Sequence, residues 1–305
     1  MTVGGRLARL LERGEFVVTS EVVPPLSGSR EPLEEAARGL VGYVDAVNVT
    51  DNPTASARMS PLAGARFVSE AGAEPTLQLT ARDRNRLALT ADLLGGWALG
   101  ARNLLCLSGD PMHIGDHPGA ATVADLSVVE LVELALHLRD EGTTLAGAEV
   151  ADPPRYLVGV ADVPLADPYD PARLEAKLDA GADVVWTQIA YDVDAVAAWA
   201  DLLRLRGVFE RARVLVGVVP LRSARQASFM AERLPGVRVP GSFVERLEGA
   251  GPDAGEVGLE LTAQVVKGLR RIPGVSGVHL MGMGRDDLVR RLVEDTGLFP
   301  RPTGV

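Results

Sequence analysis

Short runs of β-branched and apolar residues alternate with longer amphipathic stretches along the whole chain. Strands are predicted over 16–23, 46–51, 75–81, 103–110, 156–163, 184–190, 214–220 and 277–283, each bounded by Gly, Pro, Asn or Asp. Most of these runs are continuously apolar, as expected of strands buried on both faces. Helical periodicity fills the gaps at 31–41, 86–94, 128–139, 172–180, 194–205, 224–234, 259–272 and 286–295. In the third of these, Leu131, Leu134 and Leu138 recur at helical spacing. Strict strand–helix alternation implies right-handed crossovers and a parallel sheet. Eight such units favour an α/β fold of the (β/α)8 TIM-barrel type, a single domain over 1–305, ahead of an open doubly wound sheet. The longest irregular stretches are 111–124 and 235–255. The first follows the fourth strand, at the face where barrel enzymes keep their active sites.

Composition narrows the classes. The 305 residues exceed the roughly 250 that such a barrel requires. A formal net charge of −10 argues against nucleic acid or an anionic membrane as the main partner. The single cysteine, Cys106, excludes an intramolecular disulfide framework and reads as a buried strand residue. Arg6, Arg9, Glu12, Arg13 and Glu15 interrupt the N-terminal segment, which therefore lacks a signal-peptide core. No charge-free apolar stretch reaches the ~18 residues of a membrane span. The expected setting is cytoplasmic.

Polar residues at the ends of buried parallel strands are the candidate chemistry. They are Glu21, Thr50, Asp51, Gln78, Asp110, Asp162 and Gln188. Their recurrence on six strands points to one shared site at the C-terminal face. Glu21 stands among apolar neighbours in Val17–Pro25, where desolvation disfavours the charged carboxylate and suits it to general acid chemistry. Asp110 follows Gly109, which allows close backbone approach to a ligand. Gln188 offers both a donor and an acceptor, as a heterocycle edge requires. His113, Asp116 and His117 lie in a Pro/Gly loop without the spacing of a metal site, so no metal is expected. Gly282-Met283-Gly284-Arg285 lacks the third glycine of a dinucleotide fingerprint.

A series of short motifs resembles the methylenetetrahydrofolate reductase family, in order over nearly the whole chain. Ser20-Glu21-Val22-Val23-Pro24-Pro25 is similar to its first-strand motif. Val47–Pro53 and Arg58-Met59-Ser60 resemble the second-strand region of the branch found beside, or fused to, homocysteine methyltransferase domains. Arg82–Asn85, Leu107–Pro111, Lys177–Asp183 with Thr187-Gln188, and Pro220–Ser223 fit that branch too. The resemblance implies that NADH or NADPH reduces FAD, which reduces methylenetetrahydrofolate to methyltetrahydrofolate. It implies Glu21 as general acid and Asp110 between flavin and pterin, binding folate and tuning the flavin. Gln188 and Gln78 would contact the folate. Thr50, Ser108, Gly109, Asp110, Arg173 and Lys177 would hold the FAD.

The chain departs from the family's well-known members in four places. Gln78 replaces a histidine, Ser108 and Ala176 replace arginines, and Ala224 replaces a phenylalanine that stacks on the nicotinamide. Arg173, one turn before Lys177, offers a substitute charge. Two alternatives follow: a folate reductase that works without flavin or through a partner's electrons, and a folate-binding module serving a methyltransferase partner. Exposed apolar positions on the outer helices would allow a homo-oligomer.

Overall fold

The strand–helix units close on themselves in this computed structural model, which describes residues 3–303. The strands are β1 Val17–Val22, β2 Ala46–Val49, β3 Pro75–Thr80, β4 Asn103–Leu107, β5 Leu157–Asp162, β6 Val184–Ile189, β7 Arg213–Val218 and β8 Val275–Leu280. All pair in parallel, in sequence order. β8 returns to β1 with Val17 opposite Gly277 and Ser20 opposite Leu280. The fold is the (β/α)8 barrel that the alternation predicts.

The helices are α1 Arg6–Glu12, α2 Glu31–Leu40, α3 Pro61–Glu70, α4 Arg86–Ala98, α5 Val128–Leu136, α6 Pro171–Asp179, α7 Val193–Leu205, α8 Ala224–Arg233, α9 Gly241–Gly249, α10 Ala254–Leu269 and α11 Asp286–Asp295. Several begin where a side chain satisfies the free N–H groups of the first turn. Asn85 caps α4, Asp192 caps α7 and Ser223 caps α8, while Ser127 and Glu130 form a reciprocal capping box on α5. Such caps turn the chain sharply from strand end to helix start, and so build the rim of the barrel mouth. Among the described residues, no helix is long and apolar enough to cross a membrane.

Three helices were not expected. α1 is short and α3 begins at a proline, while α9 lies inside the 235–255 stretch read as irregular. α9 has only one buried side chain, Leu247, so its apolar stripe is faint in the sequence. The fourth strand stops at Leu107, leaving Ser108–Asp110 in the loop, and α5 passes at Leu136 into a π turn over His137–Glu141.

Strand alternation divides the core in two. Val18, Val47, Val49, Leu104, Cys106, Val158, Val160, Val185, Val216 and Val218 face the helices in the larger cluster. Val17, Ala46, Leu105, Leu157, Val184, Trp186 and Leu215 fill the barrel interior. There they meet Leu7, Leu10 and Leu11 of α1, which plugs the N-terminal end. Each buried leucine contributes about 1.5–3 kcal/mol of transfer free energy. α1 is held in place because the Glu74 carboxylate accepts its first N–H groups, from Arg6 and Leu7. Interior packing thus ends low in the barrel, and the upper part is polar.

Candidate active site

The same alternation identifies which polar side chains enter the barrel. Val17 points inward, so Thr19 and Glu21 of β1 do as well. On β8 the inward set includes Gly277 and His279. His279, only 4% exposed, joins the two β1 residues. Its Nδ1 lies 2.9 Å from Thr19 Oγ1, and its Nε2 lies 3.6 Å from Glu21 Oε2. From below, Trp186 Nε1 donates to the same Thr19 oxygen at 3.3 Å. The carboxylate therefore tops a column of buried polar groups. Beside it, a small hollow of about 130 Å³ lies between the end of β1 and α2, lined by Glu21, Val23, Leu33, Ala36, Met283 and Asp286.

The adjoining strands present groups without internal partners. Asn48, opposite Glu21 across the β1–β2 ladder, is buried with neither amide atom hydrogen-bonded. The Thr50 hydroxyl is likewise buried and unpaired. Gln78 of β3 shares this inward face and is 8% exposed. A buried polar group left unsatisfied costs about 1–3 kcal/mol, so such a cluster marks a surface made for a polar ligand.

The loops after β2 and β4 are clasped together. Asn52, Thr54 and Ala55 all have positive φ, at 45°, 54° and 52°. Such a run is held only by surrounding contacts. Asp110 supplies one, its Oδ2 accepting from Thr54 N at 2.6 Å. Arg82, 5% exposed, donates to the Asp110 carbonyl at 3.0 Å and to Asp83 through Nε and Nη2. Gly109 has φ +82°, and a Cβ there would lie 2.9 Å from Arg82 Cβ. Only glycine lets the β4 loop settle onto that arginine. Asp116, from the Pro/Gly loop that follows β4, accepts from Ala57 N and bonds His117 Nδ1 at 2.8 Å. It fastens the same loops.

Two predicted mouth residues lie elsewhere, and alternation is the reason. Asp51 and Asp162 have the parity of Val49 and Val160, so both face outward. Asp51 accepts from Thr80 N at 2.8 Å and from Arg84 Nη1 at 2.7 Å, which anchors the β3–α4 turn. Asp162 accepts from Tyr169 Oη at 2.9 Å. It lines a groove of about 950 Å³ outside the barrel wall, which also brings together Ser108, Arg173 and Lys177. Arg233 and Arg238 lie across the groove. Lys177 Nζ donates to the Ala161 carbonyl at 2.6 Å. Burial lowers the Lys177 pKa, opposed by the nearby Asp162 carboxylate, and burial raises that of Asp162.

Gln188 sits at an irregularity of the β6–β7 ladder, between the pairs Trp186–Leu215 and Ile189–Gly217. Its Oε1 accepts from Ile189 N at 3.0 Å, leaving the amide N–H groups as the donors it can offer a ligand. The structure thus gathers Glu21, Thr50 and Gln78 on the inner wall and Asp110 and Gln188 at the rim. Ser108, Arg173 and Lys177 stand together in the adjoining groove. His279, Thr19, Asn48 and Arg82 were missed by sequence reasoning. For His279 a signal existed: one imidazole in an apolar strand, at inward parity with Gly277.

Comparison with known proteins places this geometry in a lineage. Residues 6–297 match the sequence profile described as methylenetetrahydrofolate reductase. Methylenetetrahydrofolate reductase 1 of Schizosaccharomyces pombe is 27% identical over 238 residues, covering 73% of this chain and 36% of that protein. The 5,10-methylenetetrahydrofolate reductase of Salmonella typhimurium is 26% identical over 238 residues, covering 75% of this chain and 72% of the relative. The chain therefore spans about a third of the fungal protein and most of the bacterial one. A Clostridium thermocellum protein described as binding two copies of 5-methyl-5,6,7,8-tetrahydrofolic acid superposes with a TM-score of 0.59 at 11% identity. It covers 94% of this chain and 99% of its own, and the likeness is one of fold.

Proposed function

The chain belongs to the methylenetetrahydrofolate reductase family, and we propose that it reduces 5,10-methylenetetrahydrofolate to 5-methyltetrahydrofolate with electrons from NADH or NADPH through FAD. The observation that carries this reading is the half-buried Glu21, backed by His279, beside the unpaired polar groups of Asn48 and Thr50 at the barrel mouth.

Glu21 donates its proton to N10 of the folate, the bond from N10 to the methylene carbon breaks, and an iminium remains at N5. His279 stabilises the carboxylate left behind. Hydride addition to the methylene carbon then gives the methyl product. Gln188 and Gln78 hold the pterin edge by hydrogen bonds, and Asp110, fixed by Thr54, sits over the mouth.

The groove outside the wall fits a flavin dinucleotide in size. It offers Lys177 and Arg173 for phosphate beside the exposed Ser108, while Gly109 and the buried Thr50 hydroxyl belong to the barrel mouth, where the ring would have to reach. Held there by Arg173 and Lys177, a flavin would supply the hydride chemistry between nicotinamide and folate. One observation favours a second reading, direct hydride transfer from NADH or NADPH. Asp162, Asp167, Asp170 and Glu232 stand among the groove's cations, so a pyrophosphate meets little net positive charge there.

An absorbance spectrum of the purified protein, followed by anaerobic NADH and then methylenetetrahydrofolate, separates the two. A flavin band that bleaches with the nucleotide and returns with the folate is expected. A colourless chain that takes up no FAD yet oxidises NADH with the folate establishes the direct route. A chain that binds the folate but turns over only with a methyltransferase present is a binding module, and overturns both.

A further inference from the structure

The polar column beneath Glu21 begins at an indole. Trp186, on inward parity in β6, is 3% exposed and lies across the barrel floor. A Cβ at Gly159 would sit 2.0 Å from its ring, so β5 leaves it that space. Its Nε1 donates to Thr19 Oγ1, which is fully buried and whose other partner is His279 Nδ1.

We propose that Trp186 is a positioning residue which, through Thr19, holds His279 in the tautomer with a bare Nδ1 and a protonated Nε2 directed at Glu21. The inference rests on the role given to Glu21 above. An indole N–H can only donate, so it occupies a lone pair of Thr19 Oγ1 and turns the hydroxyl hydrogen away from itself. The remaining partner is His279 Nδ1, which must then be the acceptor. A proton on Nδ1 would leave the threonine hydrogen without an acceptor in a dry interior.

With Nδ1 engaged, the ring N–H is Nε2, 3.6 Å from Glu21 Oε2. A small turn of the glutamate closes that separation to a hydrogen bond. Two consequences follow for the acid. An N–H facing Oε2 places the carboxyl proton on Oε1, the oxygen free to meet a substrate in the mouth. After that proton leaves, the carboxylate is met at once by a donor already in place. The step moves one proton from Glu21 to the folate nitrogen and leaves His279 neutral.

The chain has only four histidines, so nitrogen-15 NMR of histidine-labelled protein resolves the ring directly, with His279→Gln giving the assignment. The expected result in the wild-type chain is a proton on Nε2. Trp186→Phe keeps a ring over Gly159 and removes the donor. Its population of the Nδ1–H form should rise on the order of fivefold, the weight of one net hydrogen bond. Thr19→Val should release the ring at least as far. In folate reduction, kcat in Trp186→Phe should fall in proportion to the Nε2–H fraction that the same spectra show to be lost, while KM changes by less than roughly twofold. A wild-type ring protonated on Nδ1 overturns the proposal without any variant. So does an unchanged ring in a folded Trp186→Phe chain. A chain with the expected ring but no folate reduction overturns the proposed function and leaves the tautomer lock standing.

Discussion

The two ends of the barrel handle buried charges in different ways, although the Thr76 hydroxyl and the Asn103 amide oxygen are unpaired near the N-terminal end too. At the N-terminal end, the fully buried Asp45 carboxylate accepts from Val18 N at 2.8 Å, Arg6 Nη1 at 2.9 Å and Arg301 Nη2 at 2.6 Å. Each charge there has its partner, and α1 seals the interior with leucines. At the C-terminal end, Asn48 and Thr50 are buried without partners, Asn52, Thr54 and Ala55 of one loop hold positive φ, and Glu21 meets only a loosely spaced imidazole. Stability is concentrated where contacts close among themselves, and capacity to bind where they are left open. The difference follows from position in the fold, since both ends use the same strands.

Glu21→Gln should break this division most sharply. It removes the proposed acid without removing a structural ion pair, so the proposed folate reduction should slow by roughly 10²–10⁴-fold. Urea unfolding of the same variant should stay within about 1 kcal/mol of wild type. A variant that unfolds instead would mean that the mouth glutamate is structural. Asp45→Ala is the mirror experiment. It leaves Arg301 and Arg6 facing a buried gap, and stability should drop by about 3–5 kcal/mol. The kcat of molecules that remain folded should be close to wild type, measured well below the melting temperature.

How far each end could be read from the sequence follows the same physics. The strands were legible because eight apolar runs recur between turn residues, and their parity is fixed by period two. Glu21, Gln78 and Thr50 were found as polar interruptions near strand ends, and they do line the inner wall. Asp51 and Asp162 were placed in the same site, although counting from Val49 and Val160 puts both outside. That correction was available from the sequence alone. The link from His279 to Glu21 was not, because it depends on β8 closing beside β1, more than 250 residues away. Arg82 was equally hidden. A charged residue after a strand reads as solvated, and only the fold of three loops shows it buried.

Lys177→Met tests the outer groove, where function and stability should part by smaller amounts. The side chain is held against the Ala161 carbonyl, and burial already disfavours its charge. Its loss should weaken flavin binding on the order of tenfold, a charge-assisted hydrogen bond's worth, read by fluorescence titration with FAD. Thermal stability without the dinucleotide should be equal or slightly higher. Unchanged FAD binding would place the phosphates elsewhere and would favour the flavin-free reading.

The smallest effect concerns Asp162, and its sign depends on pH. Burial raises its pKa in the folded chain, partly offset by the Tyr169 hydroxyl and by Lys177. Below the ordinary carboxylate range the group is protonated in both folded and unfolded chains, and contributes nothing. As pH rises through that range, the unfolded chain ionises first, so the folded chain holds more protons and loses stability. The loss is complete once pH passes the raised value. Asp162→Asn keeps an acceptor for Tyr169 and cannot ionise. It should therefore match wild type in acid and exceed it modestly at neutral pH, as seen in paired urea melts. A variant less stable at neutral pH would show that the Asp162–Lys177 attraction outweighs desolvation. The groove would then resemble the closed N-terminal end, with its charges committed to one another and none held ready for a ligand.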